Sequence, residues 1–247
     1  MNSSISALVL IPTYNEAASI SEVIGRVLQQ EIAGYELEIL VIDDGSPDGT
    51  GQIVEKFGSP KVHLLQLSKK NGLGRAYLAG FSWGLDRPYE VFIEMDGDGS
   101  HLPEQLSRLL WPIALGADLT IGARWIPDGK VDNWSILRQL LSRAGNKYAR
   151  FALGYSLHDA TSGYRAFTRK CLNSIDLSNV DSNGYCFQID LAWRAWQRKL
   201  KVVEVPITFV ERLSGVSKMS RRIVVEAIWQ ITKWGFWRIS RPNTIRR

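Results

Sequence analysis

Along the first half of the chain, short apolar runs alternate with stretches of helically spaced apolar positions. Ala7 to Ile11 is a continuous apolar run halted by Pro12. From Ser19 to Gln30 the apolar residues Ile20, Val23, Ile24, Val27 and Leu28 share one helical face. Leu37 to Ile42 is almost wholly apolar, as expected of a strand covered on both faces, and it stops at Asp43. The alternation predicts a helix near Thr50 to Phe57, a strand near Val62 to Leu67 and a helix near Gly74 to Leu85, then strands at Val91 to Met95 and Leu119 to Ile121. The second half is less regular. It reads as a loop from Asp128 to Trp134, a helix from Ile136 to Ala152 and a loop around Ser162. A helix near Cys186 to Arg198, a strand near Val202 to Val205, a Gly/Ser segment at 214–218 and a helix from about Ser220 to Ser240 complete it. Alternating strands and helices imply an α/β fold, a doubly wound and mostly parallel sheet flanked by helices, with a C-terminal amphipathic helix. In such sheets ligands collect at the carboxyl ends of the strands, which makes neighbours of the polar clusters at 13–16, 43–46 and 96–98.

Each cluster carries usable chemistry. Asp96-Gly97-Asp98 releases two carboxylates one residue apart at the end of a strand, a donor set suited to a hard cation such as Mg2+, although Asp and Gly also make ordinary turns. Gly97 would let a diphosphate approach the backbone. Asp43 and Asp44 can accept hydrogen bonds from ribose or base groups, or simply belong to a turn that Asp48 and Thr50 carry into the next helix. Tyr14 can pack on a base and Glu16 can accept from polar edges. Arg75, Arg124, Lys130, Arg165, Arg212 and Lys218 could hold phosphates, each competing with a plain role as surface charge. His63, His101 and His158 lack metal-ligand spacing and read as structural. The Gly72-Leu-Gly74-Arg-Ala-Tyr77 string fails the dinucleotide fingerprint, and neither a Walker lysine nor a nucleophile elbow is present.

Charge distribution adds direction. The formal net charge is +5, yet from Arg212 onward there are nine basic residues against the single acid Glu226. A mildly acidic body therefore precedes a basic end, which points to an anionic partner there. The last predicted helix confines Arg222, Glu226, Gln230 and Lys233 to a narrow stripe. The wide remaining arc holds three tryptophans, a pattern of either a membrane-interface helix or a core-packing one. Tryptophans in an apolar arc, rather than interleaved with a basic groove, argue against nucleic acid. Two cysteines, Cys171 and Cys186, cannot frame a chain of 247 residues, so a reducing, intracellular setting is expected. The first residues lack a secretory pattern and no uninterrupted apolar span is long enough to cross a bilayer, so neither signal-peptide secretion nor membrane spanning is expected.

Taken together the strings resemble the polyprenol (dolichol) monophosphate mannose synthases of glycosyltransferase family 2. The match rests on Ile-Pro-Thr-Tyr-Asn-Glu at 11–16, Ile-Asp-Asp-Gly-Ser-Pro-Asp-Gly-Thr at 42–50 and Gly-Leu-Gly-Arg-Ala-Tyr at 72–77. It continues with Met-Asp-Gly-Asp at 95–98, Gly-Ala-Arg at 122–124, Gly-Lys-Val-Asp-Asn-Trp at 129–134, Ser-Gly-Tyr-Arg at 162–165 and Glu-Arg-x-x-Gly-x-Ser-Lys at 211–218. The resemblance implies a GT-A fold over residues 1–218, followed by a basic amphipathic helix and tail at 219–247 that meets a membrane interface. It implies a guanosine site lined by Pro12, Tyr14, Glu16, Ile42 and Asp44. Mg2+ or Mn2+ would sit on Asp96 and Asp98 with Ser100, beside Gly97, while Arg124, Arg212 and Lys218 meet donor or acceptor phosphates. Asp98, Arg124, Arg212 and Lys218 are the implied catalytic set. The family usually has Asp-Ala-Asp-Leu where this chain has Asp-Gly-Asp-Gly at 96–99. The implied reaction moves mannose from GDP-mannose to a polyprenyl phosphate with inversion, on the cytosolic face of a membrane to which the enzyme is peripherally attached. A small membrane-protein partner is a further expectation, and nucleic acid is not one. The rival readings are transfer of glucose or an aminosugar from a UDP-sugar, and a nucleotide-sugar-binding scaffold without turnover.

Overall fold

The computed structural model describes residues 4–180, 185–211 and 221–240. Nine strands and eight α-helices lie in these stretches. The strands are β1 (Ile5–Thr13), β2 (Tyr35–Asp43), β3 (Val62–Gln66), β4 (Val91–Glu94), β5 (Leu119–Ala123), β6 (Lys130–Asp132), β7 (Arg165–Thr168), β8 (Val202–Pro206) and β9 (Thr208–Val210). The helices are α1 (Ile20–Leu28), α2 (Thr50–Glu55), α3 (Leu73–Leu85), α4 (Leu106–Ala114), α5 (Ile136–Leu153), α6 (Arg169–Ser174), α7 (Tyr185–Gln197) and α8 (Arg221–Ser240).

Seven strands form one sheet in the order β3-β2-β1-β4-β7-β5-β8, while β6 and β9 pair separately. All the pairings are parallel except those of β7, which runs antiparallel between β4 and β5. The expected mostly parallel sheet is therefore present. The antiparallel β7 and the short β6, inside a segment expected to be loop, are additions.

Alternation along the buried strands makes two cores. Leu8 and Leu10 of β1, Leu40 and Ile42 of β2 and Phe92 of β4 face α3 with Tyr77 and Phe81. Val9, Ile11, Ile39, Val41 and Ile93 face the other way, against Ile20, Val23 and Ile24 of α1 and Leu106, Leu109 and Leu110 of α4. Each β-strand side chain thus serves one layer only, and the three-layer sandwich leaves the strand ends as the exposed edge. Helix α3 approaches the sheet so closely that a Cβ on Gly84 would lie 2.6 Å from Phe92 Cε1 and 2.8 Å from Leu8 Cδ2. Gly84→Val should therefore destabilise the fold by ~1–3 kcal/mol through overpacking. Gly25 of α1 has nothing within 4 Å of the same position, so Gly25→Ala should add up to ~1 kcal/mol. Urea unfolding of both variants checks the pair, and equal midpoints would refute the close contact.

Helix α8 packs through one side. Ile231 is buried in the first core, Trp234 stacks on Trp193 of α7 with centroids 5.6 Å apart, and Thr232 meets the Tyr148 hydroxyl of α5 at 2.6 Å. Ile228, Trp229 and Phe236 remain exposed. Among the described residues no helix is long and apolar enough to cross a membrane.

Candidate active site

Because β1 is parallel to both β2 and β4, their carboxyl ends release three loops side by side. The Asp44 amide donates to the Thr13 carbonyl at 2.9 Å, which links the first two ends. The loops are then tied across. The amides of Asn15, Glu16 and Ala17 donate to Ser46 Oγ, Thr50 Oγ1 and Asp48 Oδ2 at 3.0, 3.1 and 3.0 Å, and Ser19 Oγ donates to the Gly97 carbonyl at 2.8 Å. The expected convergence of the clusters at 13–16, 43–46 and 96–98 is what the structure displays.

In the third loop, Asp96 and Asp98 are partly exposed at the edge of the cleft, and Asp98 Oδ1 accepts from the Ser100 amide at 3.0 Å. Ser100 Oγ is buried with no hydrogen-bond partner among the described residues. No group of three His, Cys, Asp or Glu side chains converges there among those residues. Two carboxylates and a hydroxyl nevertheless fit a hard cation that completes its shell with waters and substrate phosphates. Gly97 also has a packing role. A Cβ on it would point back at Thr13 Cγ2, 3.1 Å away, and Ile11 Cγ2, 3.2 Å away, so it lets this loop lie against β1. Gly99 has φ of 77°, a left-handed turn that favours glycine, which gives the departure at this position a backbone cause.

His101 holds the loop from behind. It is buried, its Nδ1 accepts from the Asp96 amide at 3.0 Å, and its ring stacks on Tyr164 at 4.7 Å. Burial, aided by the Arg124 charge and opposed by Asp98, lowers its pKa to about 3, so it stays neutral and orients Asp96. This agrees with a structural histidine.

Several predicted side chains stand elsewhere or are committed. Ile42 is a correction: it is fully buried against Gly80 and Leu10 in the first core, since its place in the β2 alternation points it away from the cleft. Asp44 reaches the site with both oxygens engaged, accepting from the Asn71 and Gly72 amides at 2.8 Å each, so it clamps the segment before α3. Asp43 accepts from the Thr13 hydroxyl and the Ser46 amide. Pro12, Tyr14 and Glu16 are partly exposed at the cleft, and Lys70 lies over the Tyr14 ring at 3.7 Å. Tyr77 lies in the core, stacked on Phe187. Arg165 is a second correction. Register places it beside Glu94, and it donates to the carbonyls of Ser162, Gln188 and Ala160, so it is a buried brace and not a phosphate ligand. Burial raises Glu94 to about 7 against the pull of Arg165. Arg212 and Lys218 lie outside the described residues.

Arg124 follows β5 and is buried, but its fork is matched by a carboxylate that the sequence reading did not single out. Its Nε and Nη2 donate to Asp159 at 2.7 Å each, and Nη2 also reaches Thr161 Oγ1 at 2.9 Å. Asp159 in turn accepts from the Arg124 amide and the Asn146 side chain, while the His158 and Asp159 amides donate to Glu204. Its guanidinium lies 5.7, 5.4 and 5.6 Å from the rings of Trp125, Trp134 and Phe209. Phe209 also meets His101 edge-on at 5.2 Å, which connects this aromatic box to the acidic loop. No local pattern announces Asp159; it is found only when β5 and the 158–161 turn are brought together.

The model of the family described as glycosyl transferase family 2 matches residues 8–176. A polyprenol monophosphomannose synthase of Mycolicibacterium smegmatis is 54% identical over 92% of this chain and 86% of its own. The chain belongs to the polyprenol monophosphate mannose synthases of glycosyltransferase family 2. A second member, an undecaprenyl-phosphate mannosyltransferase of Micrococcus luteus, is 50% identical over 92% of this chain and 93% of that one. The fold is that of the GT-A glycosyltransferases. Glucosyl-3-phosphoglycerate synthase of Mycobacterium tuberculosis, solved with Mn2+, UDP-glucose and phosphoglyceric acid, superposes with a TM-score of 0.69 at 19% identity, over 93% of this chain and 80% of its own.

Proposed function

We propose that this synthase transfers mannose from GDP-mannose to a polyprenyl monophosphate with inversion at the anomeric carbon. The observation that carries the reading is the meeting of Asp96 and Asp98 with the ends of β1 and β2, which offers a diphosphate a cation site beside a nucleoside pocket. The names of the two bacterial relatives support mannose and a lipid phosphate as the partners. Pro12, Tyr14, Glu16 and Asp44 line the nucleoside side in this reading, Ile42 contributing only through the strand it belongs to. Asp96, Asp98 and Ser100 hold Mg2+ or Mn2+, which when bound neutralises the leaving diphosphate. The acceptor needs no strong general base, because a phosphate monoester with a second pKa near ~6 is already mostly a dianion at neutral pH. Its oxygen forms the bond to C1 as the bond from C1 to the diphosphate oxygen breaks. The protein supplies in-line positioning and cationic groups, with Arg212 and Lys218 proposed at the phosphates and Arg124 bracing that side through Asp159.

Residues 1–218 form the catalytic unit in this reading and 219–247 a membrane-interface element. The exposed Ile228, Trp229 and Phe236 of α8 support peripheral attachment, with the cytosolic face as the proposed side. The test is transfer from GDP-mannose, compared with UDP-glucose, to polyprenyl phosphate in liposomes with and without EDTA. A mannolipid whose formation EDTA abolishes is expected. Turnover of UDP-glucose in its place would overturn the donor, and EDTA-resistant transfer would remove the metal.

A further inference from the structure

Buried polar side chains in a folded chain almost always find a hydrogen-bond partner. Behind the acidic loop three of them do not. Tyr77 Oη, both Glu94 oxygens and both amide atoms of Gln188 are buried with no hydrogen-bond partner among the described residues. They come from three elements: α3, the end of β4 and the first turn of α7. Their surroundings fix them in place. Arg165 Nη1 donates to the Gln188 carbonyl at 2.7 Å, and Phe187, the preceding residue, stacks on the Tyr77 ring with centroids 6.0 Å apart and planes inclined by 3°. Arg165 Nε stands 4.0 Å from Glu94 Oε2. Gln188 lies close enough to Glu94 to favour its charged form, yet neither amide atom reaches hydrogen-bond geometry with a described residue. Packing therefore orients these side chains while their polar ends remain unpaired.

Gly163, in the turn before β7, shows where those ends lead. A Cβ on it would lie 3.8 Å from Asp96 Oδ1, 3.8 Å from Gln188 Nε2 and 3.7 Å from His101 Cε1. The carboxylate and the amide thus border one methyl-sized space. A space of that size with a carboxylate oxygen and an amide on its walls suits a water molecule, which needs several polar partners. After burial, the Asp96 charge does most to push the Tyr77 phenol well above its ordinary range, ahead of Glu94. The hydroxyl therefore stays protonated, a donor on the side of the acids. His101 holds the backbone of Asp96, whose amide donates to Nδ1 at 3.0 Å, whereas the space beside Oδ1 addresses the carboxylate. Carboxylates that hold a metal are oriented by groups behind them, and losing such a group weakens metal binding.

We propose that Gln188 is a positioning residue for Asp96: through ordered water in the space beside Gly163, completed by the Tyr77 hydroxyl, it holds the carboxylate in the orientation that receives the cation. This rests on the reading that Asp96 and Asp98 bind Mg2+ or Mn2+. The full chain with GDP is titrated with Mn2+, the free ion being followed by electron paramagnetic resonance, and amide hydrogen exchange over residues 95–101 is measured before metal is added. Gln188→Met keeps the length of the side chain and removes both polar atoms. Gly163→Ala removes no polar group and puts a methyl where the water would stand, at ordinary contact distance from its neighbours. Each should weaken Mn2+ binding by ~10-fold and speed exchange over 95–101, and Tyr77→Phe should weaken binding by a smaller factor. A purely structural Gln188 would instead lower the melting temperature of Gln188→Met and leave its Mn2+ affinity as in wild type. Wild-type affinity in either Gln188→Met or Gly163→Ala overturns the proposal, and should Gln188→Met fail to fold, Gly163→Ala decides. If the wild-type chain takes up no Mn2+, the cation reading fails and the exchange measurement decides the positioning role: faster exchange in the variants sustains it, and wild-type exchange overturns it.

Discussion

Asp98→Ala should reduce mannosyl transfer by at least ~10³-fold while lowering the melting temperature by only a few degrees. The stability side follows from local contacts: Asp98 is partly exposed at a loop, where it accepts the Ser100 amide at 3.0 Å. Losing such a bond costs about 1 kcal/mol, and a chain of this size loses ~2–4 °C per kcal/mol. The activity side is much larger, because the carboxylate would share the charge of a cation on which the leaving diphosphate depends. Loss of one preorganised stabilising group at a developing charge typically costs ~10²–10³ in rate, and loss of the cation as well should exceed that. Asp98→Asn distinguishes charge from shape. It keeps an oxygen for the Ser100 amide and removes the negative charge, so it should be nearly as inactive as the alanine variant. Steady-state transfer across a Mg2+ titration and a thermal melt make the comparison. Activity within tenfold of wild type at unchanged metal dependence would remove the acidic loop from the mechanism.

The strand ends that build this loop were readable because buried parallel strands are written as nearly continuous apolar runs that stop abruptly. Val91 to Met95 ends at Asp96, and Leu37 to Ile42 ends at Asp43. What could not be read has equally physical causes. Strand β7 is only Arg165–Thr168 and opens on an arginine, a residue that looks like surface until the antiparallel register sets it beside Glu94. Helix α4 contains Pro112, which argues against a helix in any local reading, yet the element persists because Leu106, Leu109 and Leu110 are buried against the sheet. Strands β6 and β9 are three residues each and pair with one another, Phe209 of β9 also bridging to His101. Ile42 was misplaced for a simpler reason. A motif gives the position of a residue, whereas the period of two along β2 decides which layer receives its side chain. Helix α5 carries the exposed pairs Ile136-Leu137 and Leu140-Leu141 four residues apart, which without the fold read equally well as a face turned to the core.

Asp159→Ala should be the most destabilising of the substitutions considered. It would leave the Arg124 guanidinium buried without the carboxylate that now receives its Nε, its Nη2 and its backbone amide. Removing one partner of a buried pair costs ~3–5 kcal/mol, since the remaining charge keeps its desolvation penalty and loses its compensation. A melting temperature lower by about 10 °C is the expected reading. Asn146 and Thr161, which also contact Asp159, cannot substitute, because both are neutral. The double variant Arg124→Leu/Asp159→Leu discriminates between a structural and a functional pair. With both charges gone the desolvation penalty disappears, and most of the lost stability should return. If the pair only braces the 158–161 turn and the aromatic box, transfer should return with it. If Arg124 also lends charge to a bound phosphate, the double variant should fold well and still fall short of wild-type turnover, with its deficit greatest at subsaturating acceptor. A stable Asp159→Ala single variant would instead show that the Arg124 side chain leaves its buried position without penalty, which would contradict the bidentate pair.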